Sequence, residues 1–96
     1  MDVVELTQKL IQFPSITPKE SGCLDFIESY LKNSGFACHR LSFDEVDNLY
    51  ARFGNNGPNF CFAGHVDVVS DIDAARWRFP PFEAIVNDGI LYGRGS

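Results

Sequence analysis

The sequence predicts an α/β fold in which two helices precede the strands of an incomplete mixed sheet. Three observations carry that prediction. Two amphipathic stretches open the chain, the apolar run "FCFAGHVDVV" has the character of a strand covered on both faces, and the turn chemistry of "GRGS" has no closing helix or strand after it.

Asp2 followed by Glu5 resembles a capping pair, and Val3, Leu6, Leu10 and Phe13 recur at helical spacing, which predicts a first helix over about 3–12 that Pro14 ends. "PSITPKESG" reads as a loop leading to Ser21, the expected N-cap of a second helix that carries Cys23, Ile27, Tyr30 and Leu31 on one face and stops at Gly35. Both apolar stripes read as core contacts. "FACHRLSF" then alternates as a strand with His39 on a solvated side, and "NLYARFG" is a second short strand ended by "GNNGPN". "FCFAGH" is the expected third strand. From Val69 the mixture of acidic residues, Trp77 and Pro80-Pro81 predicts irregular backbone until about Glu83, with Trp77 and Phe82 in a packed loop. "AIVNDGILYGRG" then predicts a hairpin turning at Asn87-Asp88-Gly89.

Size and charge narrow the function. A 96-residue chain can form one small domain that buries roughly 60–70% of its unfolded surface if its elements close around a single core. The net charge of −5 and pI near 4.7, with no basic run, exclude nucleic acid and anionic membrane as expected partners. No segment approaches the roughly 20 apolar residues of a membrane span and none reads as a signal h-region, so the expected location is cytoplasmic. Cys23, Cys38 and Cys61 are odd in number and widely spaced, which predicts reduced, mostly buried packing residues.

The chemistry concentrates at His65 and Asp67. Residues i and i+2 of an extended segment point to one side about 6.5–7 Å apart, so the two side chains can converge at the end of the strand, with Val66 turned away. Imidazole is a common zinc ligand, and a neighbouring carboxylate can bind a metal or fix the ring's tautomer. Gly64 would let backbone or ligand approach closely. The same pair can also be a histidine and an aspartate that cap a strand end by hydrogen bonds, and a catalytic zinc site needs three protein ligands. Arg94 either braces this loop or sits at a turn. "GRGS" lacks the lysine of a phosphate-binding loop, and Ser15 and Ser96 have no visible His-Asp relay.

"FAGHVDVV", with "PSITP" upstream and "RWRFPPFEA" through "DGILYGRGS" downstream, closely resembles the start of the dinuclear-zinc metallopeptidase family that includes acetylornithine deacetylase and aminoacylases. The resemblance covers essentially the whole chain. Its downstream string favours one member of that family, an N-acyl diamino acid deacylase of the lysine and cell-wall precursor pathway. What it implies is the N-terminal portion of a zinc-exopeptidase-like catalytic domain over 1–96, without the lid and dimerisation domain. It also implies metal-dependent hydrolysis of the linear amide of a small N-acyl amino acid. By motif match His65 is a zinc ligand and Asp67 the catalytic carboxylate that holds the metal site in geometry. The complete site takes two Zn2+, with Co2+ a possible substitute, and these residues supply one ligand. The bridging aspartate, the general-base glutamate and the remaining ligands lie later in the family's chain, and complete members are expected to be homodimers. A departure is Ser70-Asp71-Ile72-Asp73, where relatives carry a Pro- and Gly-containing loop. Two other readings remain: a deacylase or dipeptidase relative with a different substrate, and a non-catalytic remnant or interaction module whose isolated chain is inactive.

Overall fold

The computed structural model describes residues 1–96. Helix α1 spans Val3–Ile11 and helix α2 Cys23–Asn33. Strands β1 (Ala37–Phe43) and β2 (Val46–Arg52) follow, then a single 3-10 turn at Ala74–Arg76, and then strands β3 (Ile85–Asn87) and β4 (Ile90–Tyr92). Two helices before the strands is the predicted order. The strands form two separate two-stranded antiparallel sheets, and the parallel component is a lone bridge between Ile16 and Val68.

Local chemistry accounts for most boundaries. The Glu5 amide donates to Asp2 Oδ1 at 2.8 Å, so Asp2 satisfies one of the unpaired amides at the α1 start. At the end of α2, Gly35 takes a φ of 94° while its amide reaches Lys32 O and that of Phe36 reaches Leu31 O, both at 3.0 Å. This pair closes the last turn in the way a left-handed glycine permits. The start of α2 differs from expectation. Ser21 is not the cap, because its hydroxyl donates to Pro14 O at 3.0 Å. Gly22 occupies the cap position, and the carboxylate of Glu20 accepts from the Leu24 amide at 2.9 Å instead.

β1 and β2 are one hairpin that turns at Asp44-Glu45, with Ala37 opposite Arg52 and Phe43 opposite Val46. Its inner face carries Cys38 and Arg40 against α2. Arg40 pairs there with Asp25 at 2.6 Å and Glu28 at 3.2 Å, so the guanidinium ties strand to helix. The C-terminal hairpin turns at Asp88 and Gly89, both with positive φ, as a two-residue turn matched to strand twist requires. This second hairpin lies against α1. Gln8 donates to Ala84 O at 2.9 Å, and Gly93 lies so close to Ile11 that a Cβ there would sit 2.5 Å from Ile11 Cγ2.

The predicted third strand does not form. Residues 53–67 make no backbone–backbone hydrogen bond, and Phe60 and Phe62 are 84% and 92% exposed. An apolar run becomes a covered strand only when neighbouring strands take up its amides and carbonyls and layers pack on both faces. Here no segment lies beside it. Cys61 is exposed for the same reason, which corrects the expectation of buried cysteines. Cys23 is buried, Cys38 is half-buried and all three are free thiols. The sealed core is small: Ile11, Cys23, Leu24 and Ala84, with Ser15 the buried polar group.

Candidate functional site

The ribbon that carries His65 and Asp67 is fastened at its far end by the loop after α1. The Val68 amide donates to Ser15 O at 2.9 Å and the Thr17 amide to Val68 O at 3.0 Å. The Ser15 hydroxyl, on a residue only 2% exposed, donates to Val66 O at 2.7 Å. Three hydrogen bonds over three residues therefore replace the sheet neighbours that the ribbon lacks, and they set its extended geometry where the chemistry-bearing side chains emerge.

In that geometry the i and i+2 side chains meet. His65 Nδ1 lies 3.0 Å from Asp67 Oδ1 and 2.9 Å from Asp67 O. Both neighbours are acceptors, so Nδ1 carries the proton and Nε2 keeps its lone pair. Nε2 has no partner within the chain and the side chain is 81% exposed. An imidazole held at Nδ1 by a carboxylate, with Nε2 free, is in the state a metal-ligating histidine adopts. The second Asp67 oxygen accepts from the Thr17 hydroxyl at 2.6 Å. That hydrogen bond, together with the one from His65, holds the Asp67 carboxyl below the usual carboxylate range against partial desolvation. It stays an anion at neutral pH.

The pair stands between two concavities. A shallow depression of about 420 Å³ is lined by Thr17, His65, Asp67, Val68, Arg94 and Gly95. On the other side, a groove of about 970 Å³ runs between the ribbon, β2 and the apolar face of α2. Arg94 does not brace the His65–Asp67 loop as one of its two expected roles had it; its partners lie in the neighbouring 70–77 segment. Its guanidinium lies 4.7 Å over the Trp77 ring, pairs with Asp73 and reaches Ser70 O at 3.4 Å. It thereby ties the acidic 70–73 loop to the Gly-Arg-Gly turn at the rim of the depression. No backbone approaches Gly64: a Cβ there would meet no atom within 4 Å, so the space beside it is open. Nowhere do three or more His, Cys, Asp or Glu side chains converge. Thr17 escaped the sequence reading because it stands 50 residues from Asp67 and no periodicity links the two.

Comparison with known proteins places the whole chain beside one enzyme. It is 54% identical over 100 residues to the succinyl-diaminopimelate desuccinylase of Rhodospirillum centenum, covering 99% of this chain and 26% of the relative. It is 55% identical over 97 residues to that of Wolbachia pipientis wMel, covering 100% and 24%, and 52% identical over 96 residues to that of Caulobacter vibrioides, covering 100% and 25%. The chain thus resembles succinyl-diaminopimelate desuccinylase along its full length and spans about a quarter of the relatives it matches. No family model matches it.

Proposed function

We propose that this chain supplies the amino-terminal quarter of a metal-dependent succinyl-diaminopimelate desuccinylase, which hydrolyses N-succinyl-LL-2,6-diaminopimelate to succinate and LL-diaminopimelate. One observation carries the reading. In a chain 50–55% identical to desuccinylases, His65 and Asp67 lie hydrogen-bonded at an open concavity with the imidazole Nε2 unengaged. Convergence of the two side chains and access to Nε2 support a ligand role for His65.

His65 would hold one metal ion through Nε2. Asp67 would keep the ring's proton on Nδ1 and raise the basicity of the nitrogen that binds. When bound, zinc supplies Lewis-acid chemistry: it polarises an amide carbonyl and acidifies a water, and cobalt with similar ligand preferences could replace it. The donor set fits such an ion in kind, because imidazole and carboxylate are zinc ligands. It falls short in number, since a catalytic zinc takes three protein ligands and this chain brings one imidazole and its carboxylate partner. The general base and the other ligands belong to the part of the desuccinylases that this chain does not span. The substrate is a small dicarboxylic N-acyl amino acid, the location cytoplasmic and the assembled enzyme a homodimer on this reading.

The test is a chimera in which these 96 residues replace the matching quarter of the Caulobacter vibrioides enzyme. We expect succinate release that depends on added zinc, little hydrolysis of N-acetylornithine, and a loss of at least about 100-fold in His65→Ala. The isolated chain should show no turnover. A folded chimera that prefers acetylated substrates, or that keeps its rate without His65, would overturn the reading.

A further inference from the structure

We propose that Thr17 is a positioning residue for the His65–Asp67 pair, its hydroxyl fixing the carboxylate rotation that keeps the imidazole proton on Nδ1 and Nε2 free. The proposal rests on reading His65 as a metal ligand and extends it to a residue in the "PSITP" stretch, which the mechanism otherwise leaves without a role.

The argument is one of geometry. A carboxylate on Cβ turns easily about its last torsion, which has broad, roughly two-fold minima. Asp67 can present Oδ1 steadily to His65 only if something holds Oδ2. The Thr17 hydroxyl does so at 2.6 Å, while its distance to Val68 O, the other acceptor in reach, is 3.3 Å. A hydroxyl has one proton, so the carboxylate receives it and the carbonyl does not. Charge assistance makes that hydrogen bond the stronger of the two.

Thr17 is itself fixed from behind. Its amide donates to Val68 O at 3.0 Å and the Val68 amide to Ser15 O at 2.9 Å, so the bridge between the loop and the ribbon holds the Thr17 backbone beside the carboxylate and leaves χ1 as the one freedom of the hydroxyl. The chain of contacts then runs from the backbone bridge to Oγ1 of Thr17, across the two oxygens of Asp67, to Nδ1 of His65. Without the hydroxyl, Asp67 O remains near Nδ1 at 2.9 Å, so the ring keeps one acceptor and loses the steady second one. The expected consequence is a mixed tautomer and a less ordered ring, with the fold retained.

The experiment is 15N NMR of the His65 ring in the full 96-residue chain at pH 8 without metal, which makes it independent of any hydrolytic activity. His39 serves as the internal reference, because its ring stacks on Tyr50 in the distant hairpin. In the parent the Nδ1–H form dominates. Thr17→Val, which removes the hydroxyl and keeps the shape, is expected to raise the Nε2–H share while leaving the His39 signals in place, and Thr17→Ser to restore the parent pattern. Zinc titrated into the same samples should bind about tenfold more weakly to Thr17→Val than to the other two. A parent-like tautomer ratio in Thr17→Val, or a failure of Thr17→Ser to restore it, overturns the proposal. Should Thr17→Val not fold, the unmodified chain decides. The Thr17 hydroxyl proton itself should be observable, slowed in exchange with water and shifted downfield by its bond to the carboxylate, and a hydroxyl proton that exchanges freely counts against the proposal. Inactivity of the chimera with a normal Thr17 effect would sink the desuccinylase reading alone.

Discussion

Trp77 Nε1–H donates to Asp73 Oδ2 at 3.3 Å while Arg94 covers the indole ring and pairs with the same carboxylate. Partial burial pushes the Asp73 carboxyl up, but the Trp77 and Arg94 contacts outweigh it and leave the group below its ordinary range. A carboxylate whose folded value is depressed stabilises the fold above its unfolded value of about 3.9 and loses that contribution as pH falls through the folded value. The loop should therefore loosen in acid, from about pH 4 downward. Trp77 is the only tryptophan, so its fluorescence reports the event directly. We expect an acid transition in emission that Asp73→Asn removes. The same transition persisting in Asp73→Asn would place its origin elsewhere. Of this cluster the sequence revealed an aromatic in a packed loop and an arginine with two possible roles. It could not reveal which acidic residue of "SDID" Arg94 would select, since that depends on how the loop folds back.

Among the elements, what was legible is what adjacent residues decide. The Asp2 cap, the glycine stop at 35 and the Asp88-Gly89 turn all appear where local chemistry puts them. Ser21 failed as a cap because a distant acceptor, Pro14 O, claimed its hydroxyl. Gly93 is the clearest case of a role hidden in sequence. It read as turn chemistry, yet it is buried and its missing side chain is what lets β4 run against α1. A methyl at that position would overlap Ile11, whose buried side chain has little room to move. We expect Gly93→Ala to cost about 1–3 kcal/mol in urea unfolding, the usual range for overpacking. If the clash is the cause, Ile11→Ala combined with Gly93→Ala should be less destabilised than the sum of the two by more than about 0.5 kcal/mol. Additive losses would show that the glycine matters for backbone freedom instead.

For the whole molecule, the 7101 Å² of accessible surface and the 15.1 Å radius of gyration exceed the roughly 5500 Å² and ~12.5 Å expected of a folded chain this size. Part of the excess is the stretch whose strand pattern found no neighbours, where Phe60 and Phe62 are 84% and 92% exposed. The apolar run encoded burial correctly as a tendency, but burial needs partners that these 96 residues do not bring to it. The His-x-Asp spacing, in contrast, needed only an extended backbone, and the bridge to Ser15 and Thr17 supplies that without a sheet. This difference explains why the His65–Asp67 pair forms while the segment leading to it is bare.

A bare apolar ribbon has a physical consequence for the chain on its own. Phe60 and Phe62 pack edge to face on each other, with ring centroids 5.1 Å apart, and the amides and carbonyls around them make no backbone–backbone hydrogen bond. Covering two phenylalanine side chains is worth about 3–6 kcal/mol, enough to favour pairing between copies once concentration offsets the entropy of association. An exposed extended segment of this kind is also a template for strand addition. The purified chain should therefore self-associate as its concentration rises, seen as a growing mass in sedimentation or light scattering. Phe60→Lys/Phe62→Lys should hold it monomeric, because charge on both positions opposes stacking of like ribbons. The His65 ring signals of that variant should stay as in the parent, since the contacts that set them lie at 15–17 and 66–68, beyond the substituted positions. A parent chain that remains monomeric at high concentration would mean that the ribbon finds cover in solution. A variant with altered His65 signals would mean that the apolar run, as well as the bridge, shapes the site.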